Sequence, residues 1–111
     1  MDSNDIKCII NVIDSLSQDY YNSRTASARA RVDLNILMLP QLDSFPKSMS
    51  HEKMEIAFCK ESIQAQELYR IKIEEEAKYK GLDMLIKANE HKVNFFKKTM
   101  DTNDQGAKRG F

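Results

Sequence analysis

The sequence predicts an all-α protein built as a long, coiled-coil-like helical hairpin that is oligomeric, and three observations carry that prediction. About fifty residues from Ser50 to Thr99 contain no proline and one glycine, Gly81. Apolar and small residues of the first forty positions recur at intervals of three and four. Only three Gly and two Pro occur in 111 residues, too few for a sheet, which needs a turn signal roughly every ten residues. A helix of fifty residues rises roughly 75 Å, so its apolar face needs cover from the N-terminal helix, from sister copies or from another macromolecule.

One helical domain is expected over residues 1–100. The first helix is read from about Asp5 to Leu39, with Ser3 or Asn4 as cap and Pro40 as its stop, because the residue before a proline is pushed out of the helical region. Along it Ile6, Ile9, Ile13, Leu16, Tyr20, Ser23, Ser27, Ala30, Leu34 and Leu37 form a heptad seam. The centre of that seam is small and polar. Such residues either admit another backbone closely or mark a weak, kinked segment, and competition from Ser, Thr and Asn side chains for backbone hydrogen bonds favours the second reading. Residues 40–50 are a proline-bracketed connection that Leu42 and Phe45 can pin down.

Ser50 is the expected cap of a second helix over about residues 51–99, with Glu52 complementing the dipole of its first turn. Met54, Ala57, Phe58, Leu68, Ile71, Leu82, Leu85, Ile86, Val93, Phe96 and Met100 lie near one stripe. Glu74/Lys78, Glu76/Lys80 and Asp83/Lys87 are pairs four apart in the favourable order. Between Glu74 and Gly81 the stripe is interrupted, and a bend or break near Gly81 is the expectation. Residues 101–111 lack periodicity and read as a flexible tail.

Composition narrows the classes of function. With 31% charged and 41% apolar residues the chain is that of a folded, soluble protein, and its 8% aromatic content and lack of Trp imply an aliphatic core with Met as filler. A two-helix layer buries little apolar area per residue, which favours self-association. Zero net charge argues against a generic polyanion binder, so any nucleic-acid role must come from local clustering. No apolar run reaches the length of a membrane span and no leader is recognisable, so a cytoplasmic protein is expected, in the host cytoplasm if phage-encoded. Cys8 and Cys59 read as reduced structural thiols.

Catalytic chemistry finds no foothold. Cys8, His51, Cys59 and His91 lack metal-ligand spacing, and neither cysteine has the surroundings of a nucleophile. Glu52, Glu55, Glu61, Glu67 and Glu74–Glu76 read as a solvated helix face, and no glycine-rich phosphate loop exists. A non-enzyme without cofactor or metal is expected.

Basic clustering is the more informative signal. Arg24, Arg29 and Arg31 are the long side chains in the small-residue centre of helix one. From Lys78 to Lys98 the second helix carries six lysines against Asp83 and Glu90, interleaved with Tyr79, Phe95 and Phe96. Such a stretch can track a phosphate backbone and offer stacking faces to bases; as a solvated helix face it needs no ligand. The C-terminal Phe111 follows basic residues, unlike the acidic tails of single-strand-binding proteins.

Residues 67–93, ELYRIKIEEEAKYKGLDMLIKANEHKV, resemble the C-terminal half of small helical phage proteins encoded among recombination and replication genes. In layout, over about residues 24–98, the chain is similar to the UvsY-like recombination mediators. That resemblance implies a non-catalytic accessory protein that oligomerises and helps load a recombinase onto single-stranded DNA, with a recombinase or single-strand-binding protein as partner. Arg24, Arg29, Arg31, Lys78, Lys80, Lys87 and Lys92 then take the basic role. Ile6, Ile9, Ile13, Leu16, Leu34, Leu37, Leu82, Ile86, Val93 and Phe96 form the core and the contacts between copies. Two other classes fit the composition: a small anti-CRISPR-like inhibitor of a host or defence enzyme such as a host nuclease, with Glu74, Glu75 and Glu76 mimicking phosphate spacing, and a structural coiled-coil adaptor.

Overall fold

The computed structural model describes residues 3–108, with side chains described as far as Thr99. Its elements are α1 (Ser3–Met38), a 3-10 turn (Leu39–Ser44), α2 (His51–Cys59) and α3 (Ile63–Lys108), with no strand among the described residues. The all-α helical hairpin is therefore the observed fold class. Pro40 ends α1 by sitting at the start of the 3-10 turn, where its missing N–H costs nothing.

The second helical stretch breaks at Lys60–Ser62 and not near Gly81. Two caps explain the break. The Ser50 hydroxyl accepts the Lys53 N–H at 3.3 Å and starts α2. The Ser62 hydroxyl accepts the Ala65 N–H at 3.2 Å and starts α3, while the Gln66 side-chain amide donates to the Cys59 carbonyl at 2.7 Å across the junction. Gly81 lies inside a continuous helix. Residues 101–108, expected as a flexible tail, belong to α3; Arg109, Gly110 and Phe111 lie outside the described residues.

Contacts fall into two units: residues 21–79, and residues 1–20 with 80–111. In the unit of residues 21–79, the ends of α1 and α3 pack together with α2 as a third helix. Leu34, Met38, Phe58 and Ala65 form its buried core, and Leu37, Leu42, Phe45, Met54, Cys59, Leu68 and Tyr69 pack around them. Leu42 and Phe45 thus pin the connection as expected.

The seam of this unit changes character one turn away. Ser23, Ser27 and Ala30 of α1 are buried, and at heptad spacing on α3 the inward positions are Leu68, Lys72, Glu75 and Tyr79. The Ser27 hydroxyl donates to the Lys72 backbone carbonyl at 3.1 Å. Small residues here admit a neighbouring backbone, and α1 runs unbroken through them, so the expectation of a weak or kinked segment is not met.

The other unit has two helical segments and no third. Ile6, Ile9, Ile13, Leu16 and Tyr20 of α1, with Leu82, Ile86, Asn89 and Phe96 of α3, are half-buried; Val93 alone among these seam positions is buried. Leu85, expected on the stripe, is exposed, and the side chain of Met100 lies outside the described set. Two helices leave the sides of a seam open to solvent, which accounts for the half-burial.

Candidate functional site

Within the unit of residues 21–79, the three helices enclose an open cleft of about 560 Å³. Its α1 wall is Arg24, Ser27, Ala28 and Arg31; α2 contributes His51, Glu52 and Glu55; α3 contributes Tyr69, Lys72, Ile73, Glu76 and Tyr79. On the α1 side the small, exposed Ala28 leaves the mouth of the cleft unfilled.

Glu55 is the unusual member. It has no solvent exposure, and an ionised carboxylate in such a place needs partners. One oxygen, Oε2, accepts from the Lys72 ammonium at 2.7 Å. The other, Oε1, lies 3.0 Å from His51 Nε2 yet receives no hydrogen bond. Nε2 sits 2.9 Å from Asn35 Oδ1, and one ring nitrogen carries one proton at most. Distance alone therefore overstates the His51–Glu55 contact. The Lys72 ammonium also lies 5.9 Å from the centre of the Tyr69 ring.

Cys59 sits at the end of α2, with its thiol directed at the Ala65 carbonyl at 3.6 Å. Burial, reinforced by the nearby Glu55 charge and opposed by Lys72, raises its pKa above 9.0. This thiol is held protonated and is a poor nucleophile. Cys8, read from sequence as a structural thiol, is exposed. Among the described residues no cluster of His, Cys, Asp and Glu could hold a metal ion, and no helix is long and apolar enough to cross a membrane.

The basic residues singled out from sequence do not form one stripe. Arg24 and Arg31 share the cleft wall, whereas Arg29 is exposed outside the cleft lining. Lys78 is exposed in the same unit. In the other unit, helical geometry places Lys80 and Lys87 on one flank of the α3 seam and Lys92 on the opposite flank. Lys87 is bound to Asp83 at 2.8 Å as expected, a hydrogen bond that raises its pKa. Glu74 instead pairs with Arg70 at 2.6 Å. Arg70 also hydrogen-bonds Glu67, whose carboxyl is held below its ordinary value mainly by that bond.

The three consecutive glutamates point in different directions. Glu74 is exposed and ion-paired, Glu75 is a half-buried seam position, and Glu76 lines the cleft. Glu55, expected on a solvated helix face, is instead fully buried because Lys72, which the sequence does not single out, pairs with it across the helices. The only local signal for them was a charged residue falling on the heptad register. Compared with protein-family models, with curated proteins and with solved structures, the chain gives no match in any of the three.

Proposed function

We propose that this chain is a non-catalytic accessory protein that self-associates and, once assembled, handles single-stranded DNA. The observation that carries the reading is the half-exposed seam of residues 3–20 and 80–99. Its flanks are apolar too: Ile10, Val12 and Leu85 are exposed beside it. Apolar residues at the seam positions and on both flanks suit a bundle of more than two helices. In the other unit α2 supplies the third helix; here a second copy of the chain is the occupant that brings helices of matching pattern.

Assembly repeats every basic residue of α3, so that contacts too weak singly act together. The lysine excess between Lys78 and Lys98 supports DNA as the client. Light scattering over a range of concentrations tests the assembly: a mass above one chain that falls on Leu85→Glu is expected, and a strict monomer overturns it. Fluorescence anisotropy with a single-stranded oligonucleotide at two salt concentrations tests the client. Binding that weakens steeply with salt is expected, and none at low salt removes DNA from the reading.

A further inference from the structure

We propose that the face of α3 turned away from its seam, from Gly81 to Phe95, docks an acidic amphipathic helix of a partner protein. Met84 and Phe95 are 73% and 66% exposed, more than the other large apolar side chains of their unit. Gly81, Met84, Ala88, His91 and Phe95 recur at intervals of three and four and are all exposed, so they form one row along the helix. The buried and half-buried positions Leu82, Ile86, Val93 and Phe96 lie on the opposite side. Apolar residues exposed singly are ordinary, but a row at heptad spacing is the pattern of a helix contact.

Charge selects the occupant. Helical geometry sets Lys80 and Lys87 along one edge of the row and Lys92 along the other. Asp83 and Glu90 fall outside the face between them, although Asp83 shares the charge of Lys87. A second copy offering the same face would set lysine against lysine, so the edges select carboxylates. Shape selects a helix over a lipid surface. Gly81 and Ala88 leave hollows on either side of Met84, and a Cβ added at Gly81 meets nothing within 4 Å. Side chains of a second helix fill such hollows as knobs, whereas binding to a membrane scales with buried apolar area, which these two residues do not supply. Phe95 is already set for the contact, its ring meeting that of Phe96 edge-on with centroids 5.7 Å apart, and this reduces the ordering lost on docking. From Met84 to Phe95 the row rises roughly 16 Å, the length of a partner helix of about three turns.

The inference depends neither on self-association nor on DNA. The probe is a synthetic peptide about three heptads long, with Leu at positions a and d, Glu at e and g and Ala elsewhere; the same peptide with Lys in place of Glu is its control. Calorimetry with the full chain is expected to show saturable binding of the acidic peptide, weakened by salt, and none of the lysine peptide. Met84→Glu should lose about tenfold in affinity, and the pair Lys80→Glu and Lys92→Glu should exchange the preference for the lysine peptide. Met84 is exposed, so its variant keeps the fold, which circular dichroism verifies. Ile10→Glu, on α1, should leave the peptide bound. No saturation, equal binding of both peptides, or affinity unchanged in Met84→Glu overturns the proposal. A mass by light scattering that falls in Met84→Glu puts a second copy on this face and overturns it as well. So does binding of phosphatidylserine vesicles or of a single-stranded oligonucleotide that Met84→Glu abolishes while the peptide does not bind. Oligonucleotide binding retained in Met84→Glu leaves the DNA reading intact whatever the peptide does.

Discussion

The Lys72 ammonium lies 2.7 Å from the fully buried Glu55 carboxylate, joining α3 to α2 across 17 positions of sequence. Removing one partner strands the other charge away from water. Glu55→Ala is expected to cost about 3–5 kcal/mol, whereas replacing both residues by Met costs much less or stabilises. Urea unfolding of the two single variants and the double variant measures the coupling directly.

Ser27 is expected to tolerate shortening and resist lengthening. Ser27→Ala loses one hydrogen bond to the Lys72 carbonyl, worth about 1 kcal/mol. Ser27→Leu forces a long side chain between closely approaching backbones and costs about 1–3 kcal/mol. Thermal unfolding of both ranks them, and a stabilised Leu variant contradicts the close approach.

Gly81 offers the converse case. A methyl group added there meets nothing within 4 Å, and the position is interior to α3. Gly81→Ala should stabilise by about 0.4–1 kcal/mol by restricting the unfolded chain, raising the melting temperature by a few degrees. A lower melting temperature would place a break at residue 81 after all.

The two thiols should react at different rates. Cys8 is exposed, while Cys59 has a pKa raised by burial. At pH 8 an alkylating reagent is expected to label Cys8 first and Cys59 only on unfolding, read by mass spectrometry of peptides. Because the raised thiol value favours the protonated folded form, its stabilising contribution is full below pH 9.0 and fades as pH climbs through the folded value.

Acid dependence follows the opposite sign at Glu67. Its folded carboxyl is held below 4.5 by Arg70, so the contribution is present above that value and lost as pH falls through the folded one. The pair is solvent-exposed and its effect modest. Melting temperatures of the protein and of Arg70→Gln should differ near neutrality and converge in acid.

The α1 seam was legible because its ten positions keep strict spacing, and every one from Ile6 to Leu37 is at least half-buried. The α2–α3 break was not, because Ser62 could be read as an ordinary helical residue until its hydroxyl was seen capping Ala65. Gly81 misled for a related reason: low helix propensity is a weak local preference that surrounding packing overrides. The cleft was illegible in outline. An apolar-stripe reading discards charged residues, so Lys72 and Glu75 dropped out of the seam, and Glu55 gains its meaning only from a partner 17 residues away.

The serine at position 27 has one more consequence. Aliphatic layers repeating every seven residues are interchangeable, and two such rods could slide past each other by a heptad and mesh again. The contact between Ser27 and the Lys72 carbonyl does not survive that slippage, since a shift of seven brings Leu34 or Tyr20 to the place where only a small side chain fits. The polar centre therefore works as a vernier mark, setting the phase of the hairpin that its greasier turns leave open.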